Sequence, residues 1–514
     1  MKIFRIGRIG YFIYKVSFYF YRGFYFFFSI LWYFPNLIRM AARDAAGNQE
    51  PEVSEGVIPP PEMDVQALDG SSHGFVFGRN LVNHRLLGKS ENKDGHILII
   101  GGSGSGKSSC YAIPQIVSWN GRVFVIDPKG ELAKKAAFCR PNAKIFNPAQ
   151  SDSFGYDPYY LLAESDDLAQ DAFEIAMSLI PKPENVRDPF WIDGAQNLFA
   201  GAIVYFYSQG LSFIETIRKI QSTIASDLVK LLHADRDDKG EPTAAAMLVN
   251  QLASLEDKTL AGIASEMGNR IRVFATNKAV QASFSKANAI TPEDLETGSD
   301  IFIVIPEDKL EQWKEIMILI FNQFMKHFER RKEREGVPIL FLFEEMARVG
   351  KTEIARGLAT LRDKNITIAL YAQSLAQFDY LFGKVQRQII VDNCQYKVIL
   401  NATDPDTQTE FARMVGKHEK EKISVTRSVE GLLQKPTNNE LRERITESKE
   451  ERWIIEPDRF ATLQQPVILT PFGFMRATKT PYYEMRVFKN ISQLEAQQAF
   501  QGEKDPRYVE HIWS

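Results

Sequence analysis

The sequence has few cysteines and no excess of positive charge. Its three cysteines, Cys110, Cys139 and Cys394, are far apart and form no CxxC pair. This excludes a disulfide framework and a cysteine zinc site, and it fits a reducing compartment. Seven scattered histidines form no metal-ligand cluster. The formal net charge is −3, so composition gives no general basic field for nucleic acid, and any such contact must use a local patch or a pore.

The sequence also lacks a long uncharged hydrophobic run, although its first 43 residues are crowded with aromatic and aliphatic side chains and contain no acid before Asp44. The run Gly23 to Pro35 is shorter than the ~20 residues that a spanning helix needs. The stretch Ile9 to Phe34 is long enough only if Lys15 and Arg22 snorkel or face a protein neighbour. We predict a membrane-associated helix over residues 1–43 that either spans the membrane or lies in the interface. A cleaved signal peptide and a soluble core helix fit the pattern less well.

The remainder has the length and composition of a globular protein with more than one domain. The chain has 514 residues, of which 44% are apolar and 25% charged. Residues 44–73 contain Pro51 and the run Pro59 to Pro61 among Glu, Gly and Ser, which predicts a linker. The globular part is expected to begin near Gly74.

A glycine-rich loop dominates this globular part. Gly101, Gly106, Lys107 and Ser108 fit the pattern GxxxxGK[ST] between a predicted strand and a predicted helix, the context that a phosphate-binding loop requires. Glycine lets the loop turn successive N–H groups toward a phosphate, and the helix start adds its free N–H groups. Lys107 can reach the β- and γ-phosphates, and Ser108 can bind Mg²⁺. We predict ATP and Mg²⁺ as ligands, with Gly104 and Ser109 also in the phosphate cradle.

Two later apolar runs end in acidic residues. Val123 to Ile126 is followed by Asp127, and Ile339 to Phe343 is followed by Glu344 and Glu345. Buried parallel strands place their ligands at their carboxyl ends, so either run could supply the acid that works with the metal. We favour the later run for hydrolysis, because two carboxylates allow one near the metal and one that polarises the attacking water.

Between these runs the apolar spacing is mostly helical. We therefore predict an all-α domain over residues 161–295, inserted into an α/β nucleotide-binding domain formed by residues 74–160 and 296–500. The insert is either a substrate- or partner-contact domain or a packing lobe, and the sequence leaves both open. Candidate helices in it include Phe213 to Leu232. Residues 417–452 are rich in charge and predict an exposed hairpin plus a helix.

Several short motifs occur together and in order along the chain. They are Asp127-Pro128-Lys129-Gly130-Glu131, Phe146-Asn147-Pro148, Tyr156-Asp157-Pro158, Phe190-Trp191 with Ala195 and Gln196, Ile303 to Pro306, Glu344 to Ala347 with Gly350, and Arg362 eleven residues before Gln373. In this combination the chain resembles the type IV secretion coupling proteins, the TraG-like ATPases of conjugative DNA transfer.

The resemblance implies a RecA-like P-loop domain, a hexameric ring and ATP bound between subunits. It implies that Lys107 and Glu345 act in their own subunit, that Arg362 reaches a neighbour's nucleotide and that Gln373 senses nucleotide. It implies Ser108 and Glu344 at the metal, with Asp127 and Lys129 near the nucleotide. Partners would be single-stranded DNA, a relaxase or other secreted cargo, and the channel proteins. The location would be the bacterial inner membrane, with the bulk of the chain in the cytoplasm.

The chain departs from the family pattern in three places. Glu344 stands where the family usually has aspartate, the N-terminal segment is too short for two membrane helices, and no long acidic tail follows Val487. The leading functional hypothesis is an ATP-driven motor that moves DNA or relaxase–DNA cargo into a secretion channel. The alternatives are a platform that recruits protein cargo and uses nucleotide for assembly, and a different envelope ATPase or chromosomal DNA pump, which the Asp127 to Glu131 block disfavours.

Overall fold

The structure is a computed structural model that describes residues 74–163, 165–182, 188–428 and 442–489. The predicted anchor (1–43) and linker (44–73) lie outside these ranges. None of the helices in the described ranges is long and apolar enough to cross a membrane.

Most strands of the described chain join one sheet. The strands in chain order are β1 Phe75–Asn80, β2 Leu86–Lys89, β3 Ile97–Ile100, β4 Arg122–Asp127, β5 Ala143–Phe146, β6 Gly155–Tyr156, β7 Ala289–Ile290, β8 Asp300–Val304, β9 Ile339–Phe343, β10 Ile366–Ala372, β11 Tyr396–Ile399, β12 Lys417–Ser428, β13 Arg442–Trp453, β14 Val467–Thr470 and β15 Gly473–Thr478. Among the described residues, eleven of them form a sheet in the order β2-β1-β15-β14-β11-β3-β10-β9-β4-β8-β5.

The centre of this sheet is parallel. Strands β11, β3, β10, β9, β4, β8 and β5 pair in parallel, whereas β14, β15, β1 and β2 extend one side in antiparallel pairing. The central residues of the parallel strands are mostly apolar because both faces of the sheet are covered. In β3, Ile97 and Ile99 pack into one hydrophobic cluster and Leu98 and Ile100 into the other.

Helices cover both faces of the sheet and fill the segment between β6 and β7. They are α1 Ile113–Ser118, α2 Glu131–Ala136, α3 Tyr160–Ala163, α4 Leu168–Leu179, α5 Phe190–Ser208, α6 Phe213–Ser222, α7 Ala225–His233, α8 Ala244–Val249, α9 Asp257–Thr276, α10 Lys278–Ser283, α11 Glu293–Thr297, α12 Leu310–Glu329, α13 Met346–Val349, α14 Ile354–Thr360, α15 Ala376–Asn393, α16 Pro405–Val415 and α17 Arg486–Lys489. Within α15 the helix is kinked at Gly383.

The segment between β6 and β7 contains helices α3 to α10. The two short strands pair in parallel and bring the ends of the segment together. Small residues allow close packing there: a Cβ on Gly201 of α5 would lie 3.0 Å from Val249 of α8. The single helix predicted from Phe213 to Leu232 is wrong, because the chain is extended at Thr223 and Ile224 and forms two helices. The assignment of these segments to separate domains stays a prediction.

A second compact unit contains the long hairpin. Strands β12 and β13 pair with each other as a two-stranded sheet. The helix predicted within residues 417–452 is not found in the part of that segment that the structure describes. Strand β12 has β-branched residues in the run Ile423 to Thr426, a composition that favours an extended chain over a helix.

Candidate functional site

The glycine-rich loop lies at the carboxyl end of β3, in the middle of the parallel sheet. The N–H of Gly101 donates to the carbonyl of Ala372 at the end of β10, 3.1 Å away. Gly104 and Gly106 have positive φ angles of 72° and 98°, which a residue with a Cβ rarely adopts. The helix that follows begins at Lys107. Its first part, Lys107–Ala112, is a π-helix, in which the N–H of Ile113 donates to the carbonyl of Ser108, five residues earlier. The loop therefore presents the N–H-rich helix start that the sequence predicts.

Two residues that the sequence analysis missed hold this loop from outside. Asn401, just beyond β11, accepts a hydrogen bond from the N–H of Gly102 at 2.6 Å. Lys479, just beyond β15, donates to the carbonyl of Ser105 at 2.8 Å. Neither contact has a local sequence signal, because both residues lie about three hundred or more positions from the loop.

Lys107 is folded back onto the loop. Its Nζ donates to the carbonyls of Gly101 and Gly102. Burial lowers the pKa of Lys107, although the charges of Glu345 and Glu344 act in the opposite direction. Both glutamates predicted from the sequence therefore act electrostatically on Lys107. Ser109 lies beside Ser108 at the helix start, with its hydroxyl 3.6 Å from the sulfur of Cys110.

The two acidic strand ends predicted from the sequence meet beside Ser108. Strands β4 and β9 are parallel neighbours, and the N–H of Glu344 donates to the carbonyl of Ile126 at 3.1 Å. The Ser108 hydroxyl donates to Oε1 of Glu344 at 2.5 Å. Asp127 is fully buried and accepts the N–H of Ala133 at 2.8 Å through Oδ2, so it caps the start of α2. Both candidates for the metal-associated acid therefore belong to one site.

Burial raises the pKa of both carboxyl groups, Asp127 and Glu344. Burial raises the pKa of Glu344 to about 7, the Ser108 hydroxyl lowers it, and Asp127 raises it further. Burial also raises the pKa of Asp127, against the hydrogen bond from Ala133. Oδ1 of Asp127 and Oε2 of Glu344 are buried without a hydrogen-bond partner. Unpartnered carboxylate oxygens next to a loop serine fit a Mg²⁺ ion that accompanies a triphosphate.

Glu345 is held in an unusual backbone conformation and in two ion pairs. Its φ and ψ angles are 54° and 61°, the left-handed region that glutamate rarely enters, at a cost of roughly 1–2 kcal/mol. Oε1 lies 2.6 Å from Nζ of Lys129, and Oε2 lies 2.7 Å from Nε of Arg348. Burial tends to lower the pKa of Lys129, but its hydrogen bond and charge attraction to Glu345 raise it overall.

Gln373 and Arg362 lie at opposite ends of β10. Gln373 follows the last residue of the strand at the loop edge, and its N–H donates to the side chain of Gln377 at 2.9 Å. Arg362 is exposed in the turn before the strand. Burial lowers the pKa of His96, and the positive charge of Arg362 lowers it further. His96 directly precedes β3, at the amino-terminal end of the parallel strands. Since β10 has seven residues and rises by roughly 3.3 Å per residue, Arg362 is more than ~20 Å from its own loop.

The parallel α/β sheet and the glycine loop at the end of β3 define the chain as a P-loop protein. The family described as "Type IV secretory system Conjugative DNA transfer" matches residues 62–504. The chain belongs to this family of type IV coupling proteins, which confirms the resemblance found in the sequence.

Named relatives are distant in sequence. The chain is 21% identical to the protein VirD4 of Agrobacterium fabrum over 356 residues, which cover 67% of this chain and 53% of that protein. It is 23% identical to a probable conjugal transfer protein TraG of Sinorhizobium fredii over 352 residues, 65% of this chain and 54% of that protein. The chain therefore spans about half the length of the curated relatives that it matches.

Solved structures of the plasmid coupling protein TrwB share the fold. The structure with the ATP analogue ADPNP has a TM-score of 0.63 at 16% identity and covers 84% of this chain and 93% of that chain. The structure with ADP and Mg²⁺ has a TM-score of 0.58 at 16% identity, covering 75% and 85%.

Proposed function

We propose that this chain is a Mg²⁺-dependent ATPase that drives the transfer of DNA, or of a relaxase–DNA conjugate, into a type IV secretion channel. The observation that carries the proposal is that Lys107, Ser108, Glu344 and Glu345 lie together at the carboxyl ends of the central parallel strands. These are the groups that bind phosphates, a metal and the attacking water in P-loop enzymes. Family membership and the likeness to VirD4 and TraG support conjugative DNA transfer by a type IV secretion system as the process.

In this proposal the nucleotide phosphates lie in the cradle formed by Gly101, Gly104, Gly106 and the helix start at Ser108 and Ser109. Lys107 leaves its two carbonyl partners and binds the terminal phosphates. Mg²⁺, held through Ser108 and Glu344 with Asp127 nearby, would neutralise phosphate charge. Glu345 would then accept a proton from the attacking water.

The position of Arg362 supports action between subunits. Arg362 lies at the amino-terminal end of β10 and cannot reach the loop of its own subunit, which lies at the other end. Head-to-tail packing in a closed ring can bring it to the loop of a neighbour. We therefore propose a homohexameric ring at the inner membrane. Gln373, at the loop end of the same strand, would contact the nucleotide of its own subunit.

The test is ATP turnover by the purified chain with and without single-stranded DNA, together with the mass of the assembled state. Lys107→Ala should abolish nucleotide binding, Glu345→Gln should bind ATP but hardly turn it over, and Arg362→Ala should bind ATP yet lose turnover. Arg356→Ala is the matched control, because Arg356 is a nearby exposed arginine paired with Glu329. Wild-type turnover by the Arg362 variant would remove the proposed role of this residue.

Mixing experiments separate action within a subunit from action between subunits. A ring of Lys107→Ala and Arg362→Ala subunits contains interfaces where an intact loop meets an intact arginine, so mixed samples should recover turnover that neither variant has alone. No recovery in rings shown to be mixed would mean that Arg362 acts elsewhere.

The second candidate is a platform that recruits protein cargo and uses nucleotide for assembly. The two ion pairs of Glu345 favour it, since nearby cations stabilise the ionised carboxylate and make it a poorer proton acceptor. A platform would assemble on ATP binding with little DNA-stimulated turnover, whereas a motor would show clear stimulation.

A further inference from the structure

Glu345 is enclosed by a chain of charges that extends away from the phosphate loop. Lys129 pairs with one carboxylate oxygen and Arg348 with the other. On its far side, Arg348 pairs with Glu307 at 2.5 Å. Lys129 is predicted from the sequence to lie near the nucleotide, whereas Arg348 and Glu307 have no predicted role. The structure thus shows a continuous line of four charged side chains, Lys129, Glu345, Arg348 and Glu307, in which the residue proposed to activate water lies between the two cations.

The two cations contact Glu345 from different surroundings. Lys129 pairs with Glu345 at 2.6 Å, and the adjacent residue Glu344 accepts the hydroxyl of the loop residue Ser108. The charge of Lys129 also acts on Lys107 and contributes to lowering the pKa of Lys107, after burial. Lys129 is therefore within electrostatic range of the place where phosphates would bind. Arg348 is on α13, three residues beyond Glu345, and its other partner, Glu307, is largely exposed. A triphosphate is thus a competing anion for Lys129 and not for Arg348.

The geometry points to distinct positioning roles for these two residues, and this inference rests on the proposed function. We propose that Lys129 blocks Glu345 while the site is empty and transfers to the phosphates when ATP binds, which frees Oε1. Arg348, which is paired with Glu307, stays in contact with Oε2 and fixes the orientation of the Glu345 side chain, whose backbone is in the left-handed region. Lys129 thus links nucleotide binding to release of the Glu345 carboxylate, and Arg348 fixes the orientation of that carboxylate.

The physical reason is a competition between anions. Glu345 offers Lys129 a single negative charge, whereas a nucleoside triphosphate offers several charges and more acceptor oxygens at a similar distance. Without the Lys129 ammonium, Oε1 of Glu345 is a stronger proton acceptor and has a lone pair open to a water molecule. Arg348 suits the retained position because its planar fork can contact Glu345 and Glu307 together, which lysine cannot do as well.

The first test uses stability and needs no catalysis. Thermal unfolding of the full chain is measured for Lys129→Gln, Glu345→Gln and the double variant, with no nucleotide and with saturating ADPNP and Mg²⁺. Without nucleotide, the decrease in melting temperature of the double variant should be smaller than the sum of the decreases of the two single variants, because each single substitution already removes the same ion pair. With ADPNP this non-additivity should disappear. The corresponding cycle for Arg348→Gln and Glu345→Gln should stay non-additive in both conditions.

The second test separates KM from kcat. Lys129→Gln should raise KM for ATP about tenfold, since it removes a charged hydrogen bond to phosphate. Arg348→Gln should lower kcat about tenfold or more with little change in KM, and Arg348→Lys should recover part of it. Lys135→Gln and Arg356→Gln are matched controls, because each breaks a similar ion pair elsewhere, with Glu131 and Glu329 respectively. Neither control should change KM or kcat.

The outcomes distinguish the two proposals. If coupling between Lys129 and Glu345 responds to ADPNP but the wild-type chain hydrolyses no ATP, the exchange of partners stands and the proposed ATPase function fails. If turnover is present but this coupling is the same with and without ADPNP, the exchange is refuted while the ATPase stands. Absence of ADPNP binding, measured by calorimetry, would refute both.

Discussion

A buried lysine near the start of β10, at the opposite end of that strand from the phosphate loop, gives a quantitative prediction. Lys89, at the end of β2, is fully buried, donates to Oγ1 of Thr367 at 2.9 Å and lies 5.8 Å from the ring centre of Trp119. Burial lowers its pKa from 10.5 to about 7, against the charges of Asp94 and Glu91, with Lys93 adding to the decrease. We predict that Lys89→Met, which keeps an unbranched side chain, raises the free energy of unfolding at pH 6.

The magnitude follows from the two pKa values. At pH 7 and below, holding this lysine in the folded chain costs on the order of 5 kcal/mol relative to the unfolded chain, whose lysine has its ordinary pKa. Loss of the hydrogen bond to Thr367 offsets about 1 kcal/mol of the gain. Between about pH 7 and 10.5 the folded lysine is neutral while the unfolded chain still binds the proton, so wild-type stability rises with pH across this window. The advantage of the variant should therefore shrink toward zero.

The assay is urea unfolding of the wild type, Lys89→Met and the double variant with Thr367→Val, at several pH values from about 6 to 9.5. Lys230→Met is the matched control, because the side chain of Lys230 is 75% exposed, and it should give no pH-dependent gain. A stability gain for Lys89→Met of equal size at both ends of this pH range would refute the assignment of a neutral buried amine.

Three shorter predictions concern the loop and its metal-side acid. Asn401→Ala should raise KM for ATP about 5- to 30-fold, because the N–H of Gly102 loses its partner and the cradle loosens; steady-state kinetics measure it, and an unchanged KM would contradict the role. Gly106→Ala should destabilise the chain more than Gly104→Ala in urea unfolding, since both have positive φ but only at Gly106 would the new Cβ lie 3.1 Å from Cys110 Sγ. Asp127→Asn should leave stability unchanged or higher, because it can still cap Ala133 without repelling Glu344, but should weaken the Mg²⁺ dependence of ADPNP binding measured by titration. Equal Mg²⁺ dependence would exclude Asp127 from the metal environment.

The sequence predicts those parts of the site whose signal is local. The strand–loop–helix pattern at Gly101 to Ser108 places the phosphate cradle, and two apolar runs that end in acids place Asp127 and Glu344 at one sheet edge. This works because parallel strands align their carboxyl ends. The sequence could not say that these two strands are neighbours, and therefore that both acids share one site.

Contacts that cross the fold have no such signal. Asn401 and Lys479 reach the loop from strands that are distant in sequence, so only the sheet order reveals them. Arg348 could have been noticed, since it follows Glu345 by three residues and would lie on the same side of a helix turn. The helix predicted within residues 417–452 has another explanation. A charge-rich composition indicates an exposed segment but does not distinguish a helix from a hairpin, and in the described part of that range the chain forms β12 and β13, which pair with each other.

Strand β10 gives the proposed ring a mechanical property. Arg362 lies in the turn before β10, and Gln373 directly follows its last residue. The strand is hydrogen-bonded to β3 on one side and to β9 on the other. A strand fixed along both edges cannot stretch or fold, so a displacement at one end is delivered to the other. If Arg362 serves a neighbour's nucleotide, each β10 begins at one ATP and ends at the next. Neighbouring sites would then hydrolyse ATP in order around the ring and not independently.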